Sequence, residues 1–346
     1  VSQAEQSPYI ETTGVNMRAD AKEWFAERTS KAEDWTHDAL LELKGGTTVS
    51  VVLPALNEEP TIGRIVHQIH QVLGAGAPAS RRLVDELVVI DGGSRDRTAF
   101  VAESAGARVA FRAEILPDEP SIPGKGDAMW RSLAVTHGDL VVFIDADLQS
   151  FTPTYITGLL GPLLTTPEVA LVKAVYERPL VEGSSVVSAG GGRVTELMAR
   201  PLLNLLWPEL AGIIQPLAGE YAARRELLED LPFPCGYGVE IGLLTDALDR
   251  RGLMGLAQVD LGVRVHRHQD DASLSRMAAE ILRTAFDRLE RRGDLRRLNE
   301  FGGTLTQFAR GADGFTAEVS STMSTEHPPI RTVEAYLNRG RELAQS

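Results

Sequence analysis

Leu140-Val141-Val142-Phe143-Ile144-Asp145-Ala146-Asp147 is the stretch that decides the fold. Five apolar residues in a row, bounded by polar ones, read as a strand buried on both faces, and such strands belong to parallel sheets covered by helices. Outward from it, residues 48–53 and 87–90 form two more runs of this kind, and 107–110 a shorter one. Helical spacing fills the intervals at 61–73 and 97–105, so strands alternate with helices and predict a doubly wound α/β unit, Rossmann-like and mostly parallel. Further on, 169–176 and 257–266 read as strands. Residues 194–206, 239–250 and 273–298 read as helices, with a weaker helix at 333–343.

A chain of 346 residues suits one large α/β domain with added elements, and 43% hydrophobic with 24% charged residues argues against global disorder. The expected organisation is an N-terminal helical arm over 1–46, with helices at 21–28 and 35–43. A nucleotide-sugar-binding half over 47–150 and an acceptor-binding half over 151–272 follow, then a C-terminal helix and tail over 273–346, a candidate dimer contact. Thirty-five basic against 48 acidic residues leave a net charge of −13, which disfavours nucleic acid and anionic membranes as partners. No apolar run approaches the roughly 18 residues of a membrane span. The single cysteine, Cys235, excludes an internal disulfide framework and a multi-thiolate zinc site, and its turn-rich setting reads as that of an inert thiol. A cytoplasmic protein is expected.

In an open parallel sheet, ligands bind beyond the carboxyl ends of the strands. Here those ends carry Pro54-Ala55-Leu56-Asn57-Glu58, Asp91-Gly92-Gly93-Ser94 and Asp145-Ala146-Asp147. Two carboxylates two positions apart on extended backbone point the same way, and a hard divalent cation, Mg2+ or Mn2+, relieves their repulsion. A helix cap and a solvated carboxylate are the plainer alternative. In residues 259–268, Asp260, Arg264, His266 and His268 alternate with apolar Val259, Leu261, Val263 and Val265, which puts His266 and Arg264 on one face as candidate metal ligand and anion clamp. Lys125, between Gly124 and Gly126, is a point charge for a diphosphate or part of a simple helix-entry turn; the Walker A spacing is missing. Gly190-Gly191-Gly192-Arg193-Val194-Thr195 enters a helix and offers N–H groups and a guanidinium to a phosphate, or serves as a hinge. Tyr237-Gly238-Val239-Glu240 fits sugar hydroxyls and an ordinary first-turn acid equally well.

In combination these segments resemble the GT-A glycosyltransferases, and residues 47–270 are similar to glycosyltransferase family 81, which holds the glucosyl- and mannosyl-3-phosphoglycerate synthases. The resemblance implies metal-dependent, retaining hexosyl transfer from a nucleotide-diphospho sugar to 3-phosphoglycerate, and the C-terminal helix leads to the expectation of a homodimer. Pro54, Ala55, Leu56, Asn57, Glu58, Gly92, Lys125, Asp145 and Ala146 would then hold the donor, with Tyr237, Gly238, Val239, Glu240 and Arg264. Gly192, Arg193, Val194, Thr195 and His268 would hold the acceptor, and Asp147 with His266 the metal. Asp147, Lys125, Glu240 and the Leu217 carbonyl would act at the reacting centre. Gly92, His268 and Gln269 depart from the mycobacterial glucosyl pattern, which leans the expectation to GDP-mannose over UDP- or GDP-glucose. A nucleotidyltransferase would carry a glycine-rich basic signature after the first strand, where Pro54-Ala55-Leu56-Asn57-Glu58 stands; a non-catalytic nucleotide-sugar sensor would bind donor without releasing nucleotide.

Overall fold

The computed structural model describes residues 17–343 apart from 73, 75–77, 79–80, 178–179, 183–184, 188–191, 265–270, 295–303, 312–313 and 322–324. Its centre is an eight-stranded sheet built from β1 (Thr29–Lys31), β2 (Val49–Ala55), β3 (Glu86–Asp91), β4 (Arg108–Phe111), β5 (Leu140–Phe143), β6 (Leu171–Glu177), β7 (Tyr221–Arg224) and β8 (Leu256–Val263). The spatial order is β1-β8-β6-β7-β5-β2-β3-β4. Every neighbouring pair is parallel except those made by β7, which runs antiparallel to both β5 and β6. The apolar runs that announced β2, β3 and β5 are buried on both faces, as continuous apolar strands require.

Helices close the two faces. Glu59–Val72 and Thr154–Thr165 lie over one core, where Ile62, Ile65, Leu159 and Leu160 meet Val51, Leu53 and Val142. Lys125–Val135 and Val239–Arg251 lie over the other, where Met129, Trp130, Ile241 and Leu244 meet Val141 and Phe143. The long helix Asp271–Arg292 packs against Val239–Arg251 through Ile281, Ala285 and Leu289. No helix among the described residues is long and apolar enough to cross a membrane.

The N-terminal arm is more than a lid on the domain. Its helices run Ala19–Arg28 and His37–Lys44, and between them β1 joins the sheet edge in register with β8. Trp24 is fully buried and its Nε1 donates to the Leu256 carbonyl at 2.8 Å. Towards the C-terminus, a hairpin of Thr304–Gly311 and Gly314–Ser321 follows the long helix, and Glu326–His327 pairs with Phe233–Pro234. Neither pairing was expected from the sequence.

Two local departures matter for the site. The expected helix from 194 to 206 is wound as a π-helix over Thr195–Ala199 and as an α-helix over Arg200–Leu206. Pro201 has no N–H to give an α-type bond to the preceding turn, and a widened turn is the accommodation. In β8 the alternation breaks: the register shifts between Asp260 and Val263, Gly262 takes φ +83°, Val263 is exposed and Arg264 turns inward. The expected apolar face thus fails at Val263, because a bulge re-aims every side chain after it.

Replacing Trp24 with Ala removes a buried indole and its hydrogen bond, and should lower unfolding stability by about 3–5 kcal/mol. Chemical denaturation measures this. A loss below about 1 kcal/mol would show that the arm is not part of the cooperative unit.

Candidate active site

The carboxyl ends of β2, β3 and β5 open into a cavity of about 920 Å³. At one end Pro54, Ala55, Leu56, Glu58 and Gly92 line it. This rim is tied together by short bonds: the Gly92 N–H donates to the Ala55 carbonyl at 2.8 Å, and Asp91 Oδ1 accepts from the N–H groups of Gly93 and Ser94. Asn57, in left-handed backbone at φ +58°, takes a bond from the Arg95 N–H at 2.8 Å. It braces the loop from outside and does not line the cavity, contrary to its expected place in the donor site.

Lys125, Asp145, Ala146, Asp147, Leu217, Glu240 and Arg264 come together deeper in the same cavity. β5 ends at Phe143, so Asp145 and Asp147 stand in the turn beyond it and strand alternation does not align them. Arg264 does: its Nη2 lies 3.1 Å from Asp145 Oδ2 and 3.3 Å from Asp147 Oδ1. The other arm of the guanidinium, Nη1, reaches Tyr176 Oη at 2.8 Å and Glu220 Oε2 at 2.9 Å. Lys125 Nζ sits 2.5 Å from Asp145 Oδ1, 3.1 Å from Glu240 Oε1 and 3.3 Å from the Gly219 carbonyl. These two cations thus knit four carboxylates across elements as distant in sequence as residues 125 and 264.

The charges follow from this wiring. Burial works against the Lys125 ammonium, yet Asp145 and Glu240 keep it protonated well above its ordinary range. Burial also works against Asp145, but Lys125 and then Arg264 hold its carboxyl far below the usual range. Asp147 moves the other way: burial, then repulsion from Asp145, raises it. Burial likewise raises fully enclosed Glu220, against the pull of Arg264. A further cation, Lys173 on β6, lies beneath the site with Nζ 2.6 Å from the Ala218 carbonyl and 4.6 Å from the Tyr221 ring centre; burial brings it down to about 8.

Gly192, Arg193, Val194 and Thr195 form another wall of the cavity, as the phosphate-cradle reading requires. Gly190 and Gly191 lie outside the described residues. Gly236, Tyr237 and Glu240 line it too, whereas two residues expected beside them do not: Val239 is wholly buried in the core, and Gly238 faces Thr284, where any Cβ would lie 2.0 Å from Oγ1. The helix Asp271–Arg292 completes the enclosure with Leu274, Met277, Glu280 and Ile281. Glu280 Oε2 accepts the Tyr237 N–H at 3.0 Å.

The donor set suits a hard divalent ion. Asp147 offers carboxylate oxygens with 42% of its side chain open to the cavity, next to the ionised Asp145. Among the described residues no three acidic, histidine or cysteine side chains are placed to hold one metal ion, and the two histidines expected here, His266 for the metal and His268 for the acceptor, lie outside those residues. Arg112, Tyr176, Glu220 and Glu280 are site residues that sequence patterning did not single out. No role was expected of any of them; long-range pairing brings them here.

A mostly parallel sheet with one antiparallel strand, and an Asp-Ala-Asp turn opening into a cavity at the strand ends, is the GT-A glycosyltransferase arrangement. The family model for glycosyl transferase family 2 matches residues 50–230. A glucosyl-3-phosphoglycerate synthase of Mycolicibacterium smegmatis is 48% identical over 310 residues, 90% of this chain and 98% of the relative. The solved mannosyl-3-phosphoglycerate synthase from Rubrobacter xylanophilus superposes with a TM-score of 0.82 at 42% identity, covering 92% of this chain and 99% of that one. The glucosyl-3-phosphoglycerate synthase from Mycobacterium tuberculosis, solved with Mn2+, UDP and glucosyl-3-phosphoglycerate, gives a TM-score of 0.75 at 46% identity over 87% and 96% of the two chains. The chain belongs to glycosyl transferase family 2, and these likenesses bear out the resemblance read from its motifs.

Cys235 lies buried where the Lys125 turn meets the Gly236–Glu240 turn, and burial, with the nearby Asp127 charge, pushes its thiol up to about 12. It is therefore neutral and shielded at pH 8. Native protein should leave a thiol reagent such as DTNB untouched at that pH, and denatured protein should release one equivalent. Prompt labelling of the native form would contradict the packing described.

Proposed function

We propose that this cavity binds UDP-glucose and 3-phosphoglycerate and transfers the glucosyl group to the C2 hydroxyl of the acceptor. Lys125 carries the reading: an ammonium kept charged by Asp145 and Glu240 stands in one cavity with the Pro54–Gly92 rim and the Gly192–Thr195 wall. That gives one anion site for a nucleotide diphosphate and another for an acceptor phosphate. Relatives at 42–48% identity are named glucosyl-3-phosphoglycerate synthases, and the Mycobacterium tuberculosis enzyme was crystallised with UDP-glucose and phosphoglyceric acid. Both support the glucosyl alternative over the GDP-mannose donor towards which the sequence leaned. The Rubrobacter mannosyl enzyme, at a TM-score of 0.82, supports mannosyl transfer as the second reading.

The residues divide the work. As the bond between sugar C1 and the diphosphate oxygen breaks, negative charge grows on the leaving UDP, and Lys125 offsets it from a fixed position. A Mg2+ or Mn2+ ion held by Asp147 would add Lewis-acid stabilisation of that diphosphate. Arg264, tied to Glu220, keeps Asp145 and Asp147 from splaying apart. Glu240 and the Leu217 carbonyl orient the sugar and its electron-poor C1. Arg193, with the N–H groups of its turn, holds the acceptor phosphate so that the C2 oxygen attacks C1 on the face the diphosphate leaves. The hydroxyl proton passes to the departing phosphate oxygen, and the anomeric configuration is retained.

Wild-type protein offered UDP-glucose, GDP-glucose or GDP-mannose with 3-phosphoglycerate should release nucleotide fastest from UDP-glucose and yield glucosyl-3-phosphoglycerate. EDTA should abolish release and Mn2+ restore it. Faster turnover of GDP-mannose would overturn the donor assignment, and nucleotide release indifferent to acceptor would overturn the acceptor.

Substituting Arg193→Ala should raise KM for 3-phosphoglycerate by at least about tenfold while the donor KM moves by less than about twofold, the signature of lost uniform binding. Equal changes in both constants would remove Arg193 from the acceptor site.

A further inference from the structure

The Lys125 turn is held from behind by residues far away in sequence. Asp127, in the first turn of the same helix, has no exposed surface. Its carboxylate meets His327 Nε2 at 2.5 Å, Arg131 Nε at 3.0 Å and Arg112 Nη1 at 3.1 Å. Burial opposes its charge, but His327 and Arg131 hold the carboxyl below its ordinary range. An ionised carboxylate only accepts, so His327 Nε2 carries the proton in this contact. The imidazole lies flat on Trp130 of the same helix, with ring centres 4.0 Å apart and planes 10° from parallel. Trp130 Nε1 in turn donates to the Pro328 carbonyl at 2.9 Å.

The strand that carries His327 also fixes the opposite wall. Glu326–His327 pairs with Phe233–Pro234, and the Cys235 N–H donates to the Thr325 carbonyl at 3.0 Å. Gly126 N–H donates to the Cys235 carbonyl at 3.0 Å, so the Lys125 turn rests directly on the segment leading to Tyr237 and Glu240. The fit is too close for side chains: a Cβ on Gly124 would lie 2.1 Å from the Cys235 oxygen, and one on Gly126 1.9 Å from the Pro234 oxygen. Glu326 reaches Arg288 Nη1 at 2.6 Å, on the helix that forms the third wall.

We propose that His327 is a positioning residue for transfer: its bond to Asp127 and its stack on Trp130 fix the height of the Lys125 turn against the Gly236–Glu240 turn. It touches no substrate. Its effect is transmitted through the first turn of Lys125–Val135, and it rests on the donor role given above to Lys125. The acceptor wall at 192–195 belongs to other elements and is not governed by it.

The test compares wild type with His327→Ala, His327→Gln and Ile330→Ala. Gln keeps a donor on a flat side chain, whereas Ile330, buried in the same segment, serves only the core. His327→Ala should lower kcat by about tenfold to a hundredfold, the scale of a displaced reacting group, and raise the KM for UDP-glucose while leaving that for 3-phosphoglycerate within about twofold. His327→Gln should recover most of the loss, and Ile330→Ala should reduce thermal stability without that split. Amide exchange at residues 124–128 and 235–240 should quicken in His327→Ala alone, below the unfolding transition. Parallel losses in all constants, or exchange in those segments as slow as in wild type, would overturn the proposal. Wild type that turns over none of the three donors would sink the function reading instead, and the exchange measurement would still decide the role of His327.

Discussion

Four carboxylates, from Asp145, Asp147, Glu220 and Glu240, converge at the mouth of the sheet, and only the cations set among them make that convergence tolerable. Arg264 spans Asp145, Asp147 and Glu220; Lys125 spans Asp145 and Glu240. Removing either cation would leave buried negative charge without a partner, which costs far more than a surface ion pair could return. The arrangement is a weak source of stability but a strong source of geometry. Each carboxylate has one place where its charge is matched, so the side chains that face the cavity are fixed before any ligand arrives.

The sheet topology exists to bring those groups into reach. β7, the one antiparallel strand, lies between β5 and β6, and it delivers Gly219 and Glu220 next to the turn that carries Asp145. Beyond it, β8 supplies Arg264 from the far side.

Much of the scaffold was legible because its signal is local. Continuous apolar runs define β2, β3 and β5, and the polar segments after them mark the cavity, since a buried parallel strand has nowhere else to put polar residues. What escaped was non-local or small. Tyr221-Ala222-Ala223-Arg224 is too short and too rich in alanine to announce a strand, and it becomes one only between two neighbours that bury both faces. Asp127 and His327 sit 200 residues apart, and no periodicity links them. Val263 shows the limit of alternation: the pattern was present, but a bulge at a glycine changed its phase. Asn57 and Val239 show the limit of motif reading, since a residue inside a functional segment can brace the backbone or fill the core.

The bulge at Gly262 also bears on how this chain tolerates insertions and deletions. The bulge absorbs one extra residue, since Asp260 and Val263 pair with Val175 and Glu177. Excising that glycine would therefore keep the register and leave Arg264 on its side of the sheet, whereas a straight strand that kept every residue would turn it to the other. In that straightened strand every active-site side chain would still be present in the sequence, yet the aspartate pair would lose its bridge. A homologue one residue shorter at this point needs no compensating change, whereas one of equal length with a β-branched residue in place of Gly262, at φ +83°, needs one nearby.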